Sequence, residues 1–178
     1  MDDLPPLDEL NTMPAEAFVA AAGPLFEGAP RFMSRLAAAR PFASEDELLT
    51  EARRIAREMP EDEQRELLDA HPRIGADPAT ISVMSHAEQG YAADDIEPVP
   101  EAATGEAWVG EELDMLNELY EARFGFRFVV FVAGRARRDI IPLIERAMHA
   151  DRDEELRRGL DDAIDIGRDR LHTLRGAA

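Results

Sequence analysis

The sequence contains no cysteine and no lysine. Without cysteine there can be no disulfide, no thiolate nucleophile and no thiolate metal site. Without lysine there is no Schiff-base chemistry and no phosphate-gripping lysine of a P-loop. All 20 basic residues are therefore arginine, set against 38 acidic ones, for a formal charge of -18. So acidic a chain repels phosphate backbones and anionic lipid headgroups, and neither a nucleic acid nor a membrane is expected as a partner. No apolar run approaches transmembrane length. The opening MDDLPPLDEL lacks the apolar core of a signal peptide, so a cytoplasmic protein is expected. A negatively charged small molecule would need a local pocket built from arginine.

What is present suits one domain spanning 1–178. Of the 178 residues, 45% are hydrophobic, enough to bury a real core despite the charge. Pro14 stands in the first turn of a helix carrying Phe18, Val19 and Ala22, which Gly23-Pro24 stops. A second helix, from about Pro30 to Ala39, turns Phe32, Met33 and Leu36 inward, and Arg40-Pro41-Phe42 breaks it. Ser44-Glu45-Asp46-Glu47 is a capping box that opens a helix with Leu48, Leu49, Ala52 and Ile55 on one face. The next helix, from Glu61, ends at His71-Pro72, because a residue before proline is pushed out of helical geometry. A long helix from Glu106 to Arg123 is expected to bury Trp108, Leu113, Leu116 and Tyr120. Two more, over 138–150 and 151–174, close the chain. Met1 to Pro6 reads as a ragged end, 73–84 as a loop and Ile96 to Gly105 as an exposed turn.

Phe126 to Val132 reads locally as a strand, yet nothing else in the chain looks like its partner. Its backbone groups must then be satisfied by a polar ligand, by side chains or by water. The expected fold is all-α: a single-domain helical bundle with one short buried extended segment around 126-132.

The stretch from His71 to Gln89 holds an imidazole, a carboxylate, an amide and a hydroxyl at the two ends of a loop, the residue types of general acid–base chemistry. Each has a plainer role. His71 suits a helix C-terminus through the helix dipole. Ser85-His86-Ala87-Glu88 reads as another capping box, with Ser85 as N-cap. The functional reading is compatible with it, since a helix N-terminus seats a carboxylate or carbonyl oxygen and would hold Glu88 and Gln89 at its rim. The four histidines lie far apart without a metal-binding spacing, so no metal is expected. Arg170 follows Ile166 by one helical turn and could snorkel from the apolar side or contact a ligand.

Taken in order, these residues resemble the OHCU decarboxylase family, whose members act on 2-oxo-4-hydroxy-4-carboxy-5-ureidoimidazoline. The features that match are Arg40-Pro41-Phe42, His71-Pro72, Ser85-x-x-Glu88-Gln89, Leu116-Asn117-x-x-Tyr120, Phe124-Gly125-Phe126-x-Phe128 and Gly134-Arg135, then Glu155-Leu156 and Ile166 to Leu171. The resemblance implies an all-α enzyme without metal or organic cofactor that releases CO2 to give (S)-allantoin, the last step of urate breakdown. It implies His71 as catalytic acid/base, with Glu88 as its catalytic companion. Ser85, Glu88 and Gln89 would hold the substrate's ureido and hydroxyl groups, with Pro72, beside His71, also binding substrate. The backbone of Phe128, Val129, Val130, Phe131 and Val132 would bind the ring, and Arg170 an anionic group. The family often forms homodimers, so a homodimer is expected. Arg31, Arg73 and Arg127 depart from the family pattern and bear on the loops and the pocket rim. The alternatives are a lyase or hydrolase acting on another ureide, or a non-enzymatic acidic helical interaction module.

Overall fold

The protein is described by a computed structural model over residues 4–76, 83–89 and 103–176. The helices are α1 (Leu7–Thr12), α2 (Ala15–Ala22), α3 (Pro30–Ala38), α4 (Glu45–Glu58) and α5 (Glu61–Ala70), then α6 (Val83–Glu88), α7 (Ala103–Phe124), α8 (Ile141–Ala147) and α9 (Arg152–Gly176). The fold is all-α, and among the described residues there is no strand. Of the loop expected at 73–84, residues 77–82 lie outside the described residues and 83–84 belong to α6 instead; most of the expected turn at 96–105 also lies outside them. The chain divides into two compact units: Met1–His71 with Leu156–Ala178, and Pro72–Glu155.

In the first unit α3 packs on α2, α4 and α5. Phe18, Phe26, Phe32, Met33, Leu36, Leu48 and Leu67 are fully buried there. The inward positions anticipated for α3 and α4 follow the helical period because each helix has one covered face. The α4 capping box forms: Ser44 Oγ accepts from the Glu47 amide at 3.0 Å, and the Glu47 carboxylate reaches back to the amide of Ala43. Two expectations need correction. Pro14 is the N-cap of α2 rather than a first-turn residue, and a separate helix, α1, precedes it. Nor is the segment before α1 ragged from residue 4 onward. Leu4 is buried, and the Arg175 guanidinium donates to the Leu4 and Pro5 carbonyls at 2.6 and 2.9 Å.

Gly167 in α9 lies against the ring of Phe26, itself fully buried and edge-on to Phe32 at 5.0 Å. A Cβ on residue 167 would come to 3.0 Å or less from three ring carbons of Phe26. Gly167→Ala is therefore expected to destabilise the protein by about 1–3 kcal/mol, the usual cost of overpacking, read as a lower urea midpoint.

Arginines stitch the helices of this unit together. Arg31 and Arg35 of α3 pair with Asp62, Glu63 and Glu66 of α5, and Arg53 and Arg57 of α4 pair with Asp161 and Asp165 of α9. Hydrogen bonds from Arg31 and Arg35 hold the Asp62 and Glu63 carboxyls below their ordinary range. At Asp161 burial pushes the carboxyl up, but hydrogen bonds from Arg57 and Arg53 outweigh it, and the net shift is down. A carboxylate with a lowered folded-state pKa stabilises the fold above its unfolded pKa of about 4, and loses that contribution as pH falls through the folded value. Stability should thus be flat from neutral pH to about pH 5 and fall below about pH 4. Urea titrations at several pH values measure it.

In the second unit α8 packs on α7. The buried face of α7 is Leu113, Leu116, Asn117, Tyr120 and Phe124. Trp108 was expected on that face and is 57% exposed instead. The helical period explains the error: five residues from Leu113 is about 140° around the helix, well off the covered stripe. Gly125 closes α7, donating to Glu121 O at 2.9 Å with φ of 78°, a conformation glycine adopts without a side-chain clash. The run Phe126 to Val132 forms no strand. It is anchored instead by its aromatic side chains, with the rings of Phe126 and Phe128 meeting Tyr120 edge-on at 5.9 and 5.0 Å. The Tyr120 hydroxyl donates to Glu155 at 2.6 Å, both residues being buried.

Candidate active site

His71 is the residue at which α5 stops. It leaves helical geometry at ψ of 142°, as a residue before proline must, while its backbone amide still donates to Leu68 O. The side chain is 3% exposed, and Nδ1 lies 2.9 Å from the carbonyl of Leu67, one turn back. A carbonyl can only accept, so Nδ1 carries the proton. The neutral ring then offers Nε2 as its basic nitrogen, and protonation there makes the ring an acid. The contact is a helix-end interaction, and it fixes the orientation of the imidazole.

The residues after His71 belong to the second unit. Gly75 takes φ of 83° and lies against Leu113 of α7. Around it the segment Arg73 to Ala76 is held from two directions. From α6, Gln89 Oε1 accepts from the Gly75 amide at 2.9 Å and its Nε2 donates to Arg73 O at 3.2 Å. From α7, Asn117 Nδ2 donates to Ile74 O at 3.0 Å as well as to Leu113 O at 2.8 Å. The Arg73 guanidinium grips the Glu121 carboxylate with two bonds, 2.9 and 2.6 Å. Residues 113, 117 and 121 are one helical row. Asn117 is fully buried, and its Oδ1 has no hydrogen-bond partner among the described residues. An orphaned buried acceptor of this kind costs about 1–3 kcal/mol.

Gln89 was expected to hold substrate; the structure ties both ends of its amide to the segment after Pro72. Ser85 was expected to cap a helix. It lies inside α6, which is already under way at Val83, and it is buried with its carbonyl accepting from the Gln89 amide at 2.9 Å. The capping-box reading of Ser85 and Glu88, and with it the seat at a helix N-terminus, is therefore overturned. Pro72 and Glu88 are half-buried. Phe128, Val129 and Val132 are buried, Val130 and Phe131 half-buried, and the Phe131 and Val132 carbonyls accept from Arg135 at 3.0 and 3.2 Å.

Arg170, in the first unit, is 2% exposed and does not snorkel. It donates to Pro24 O at 2.8 Å and to the Glu27 carboxylate at 2.6 Å. The three departures from the family pattern are all ion-paired: Arg31 with Asp62 and Glu66, Arg73 with Glu121, and Arg127 with Glu121 at 3.7 Å. Among the described residues no group of three or more His, Asp or Glu is placed to hold a metal ion, and no helix is long and apolar enough to cross a membrane.

The family model of OHCU decarboxylase matches residues 11–172. The chain belongs to the OHCU decarboxylase family. A 2-oxo-4-hydroxy-4-carboxy-5-ureidoimidazoline decarboxylase of Haloferax volcanii is 31% identical, over 93% of this chain and 93% of its own. A uric acid degradation bifunctional protein of Bacillus subtilis is also 31% identical over 93% of this chain, which spans 32% of that longer protein. The fold is shared with an OHCU decarboxylase crystallised in the presence of (S)-allantoin, with a TM-score of 0.63 and 21% identity over 83% of this chain and 92% of that one. OHCU decarboxylases are carboxy-lyases, and the all-α architecture is theirs. Sequence reasoning passed over two residues that hold the segment after Pro72. Asn117 lay inside a quoted motif without a role, and Arg73 was noted only as a departure. The signal for Asn117 was a polar residue on the apolar row of α7.

Proposed function

We propose that this protein removes CO2 from 2-oxo-4-hydroxy-4-carboxy-5-ureidoimidazoline to give (S)-allantoin, in the cytoplasm and as a homodimer. The observation that carries the reading is the family match over residues 11–172.

The chemistry follows from the substrate's name. An imidazoline with an oxo group at C2 and a saturated C4 keeps its ring double bond between C5 and N1. When the bond from C4 to the carboxylate breaks, its electron pair forms C4=C5, and the C=N pair moves onto nitrogen, which takes a proton. The hydroxyl of the resulting enol then gives up its proton, C4 becomes a carbonyl, and C5 receives a proton on one face. That last step creates the stereocentre.

In this reading His71 delivers the proton to C5 from Nε2, because Nδ1 is engaged by Leu67. Proton transfer of this kind is typically worth about 10²–10⁴-fold. Glu88 orients the substrate hydroxyl. Pro72, Ser85 and Gln89 hold the ureido side, and the backbone of Phe128 to Val132 holds the ring, where donors aimed at developing charge stabilise it most. Arg170 faces an anionic group of the substrate. Carboxyl-labelled substrate generated in situ tests the reaction: labelled CO2 should appear much faster with the protein than without it. Release at the spontaneous rate, with consumption of some other ureide, would move the assignment to a different lyase or hydrolase.

A further inference from the structure

The buried amide of Asn117 does something that stability alone does not account for. Its two donors are used, one of them on Ile74 O, while its oxygen is buried with no partner among the described residues. A leucine of similar size would remove the buried oxygen but leave the Ile74 carbonyl without its donor, two effects of similar size and opposite sign, so stability alone does not call for asparagine here. What the amide supplies is a fixed hold on the backbone of residue 74, next to Gly75, whose own amide is bonded to Gln89.

We infer that Asn117 is a positioning residue for the decarboxylation: by anchoring Ile74 to α7 it fixes the Arg73–Ala76 segment, and through it the amide of Gln89 at the end of α6. The inference rests on the proposed reaction, in which Gln89 touches substrate. Arg73 and Glu121 complete the hold from the same helical row, in an ion pair that is 36% and 28% exposed at its two side chains. A side chain reaching substrate must be held to a fraction of an ångström, and a displacement of about 1 Å costs roughly a hundredfold in rate. The side-chain amide of Gln89 is held only as well as the backbone to which it is tied.

The test is Asn117→Leu, assayed per folded molecule beside Gln89→Leu and the double variant. Asn117→Leu should lower kcat roughly 10- to 100-fold with its urea midpoint close to wild type. In the Gln89→Leu background the same change should have almost no further effect, because its action passes through Gln89. Undiminished kcat, or losses that multiply in the double variant, would overturn the inference. If Asn117→Leu does not fold, Glu121→Gln loosens the same segment from the surface. It should lower kcat in wild type and not in Gln89→Leu, and an unchanged kcat again overturns the inference. Hydrogen exchange at the Gly75 amide separates this idea from the reaction itself. Faster exchange in Asn117→Leu supports the hold even where the wild-type protein proves inactive, and unchanged exchange refutes it whatever the activity.

Discussion

Asparagine in place of His71 should lower kcat by about 10²–10⁴-fold while leaving the helical circular dichroism spectrum unchanged. Asparagine is the informative replacement because its amide can still donate toward Leu67 O, where His71 Nδ1 now lies at 2.9 Å. The fold keeps its contact at the end of α5, and only the ionisable nitrogen is lost. Alanine would remove both, and a drop in activity could then be read as a disturbed helix end. Turnover at the wild-type rate in His71→Asn would remove the imidazole from the mechanism and return His71 to a helix-end role.

The second large effect is expected at Arg170. Arg170→Met removes the cation from a buried pair whose side chains are 2% and 14% exposed, leaving the Glu27 carboxylate without its arginine. Breaking such a pair on one side costs about 3–5 kcal/mol, which in a chain of this size lowers the melting temperature by about 6–20 °C. Adding Glu27→Leu should recover much of the loss, because an apolar pair carries no desolvated charge. The folded fraction of Arg170→Met should also show a raised KM if the guanidinium serves the substrate. A melting temperature unmoved by Arg170→Met would contradict the structural role, whatever happens to KM.

Local signals carried much of the fold. The Ser44–Glu47 box, the inward faces of α3 and α4 and the stop at His71-Pro72 depend on residues within one or two turns, and the structure contains them. Two local readings failed. Trp108 looked like core because it is large and apolar, but the covered face of α7 is set by what packs on Leu113 and Tyr120. Ser85 looked like a cap because the residues around it fit a capping box, yet α6 begins two residues earlier. The helix end at His71 was legible from sequence, whereas the contacts that hold the segment after Pro72 were not. The hold of Asn117 on Ile74 and of Arg73 on Glu121 spans more than forty residues, and no local spacing announces it. The buried pair of Arg170 with Glu27 spans 143 residues, beyond the reach of any helical periodicity.

The most direct measurement is optical. Substrate generated in situ from urate by a urate-oxidising enzyme and a hydroxyisourate hydrolase decays by itself to racemic allantoin. With this protein added, circular dichroism should report rapid growth of the (S) enantiomer, because the proton reaches C5 from one side only. Racemic product forming at the spontaneous rate, at every salt concentration tried, would contradict the account.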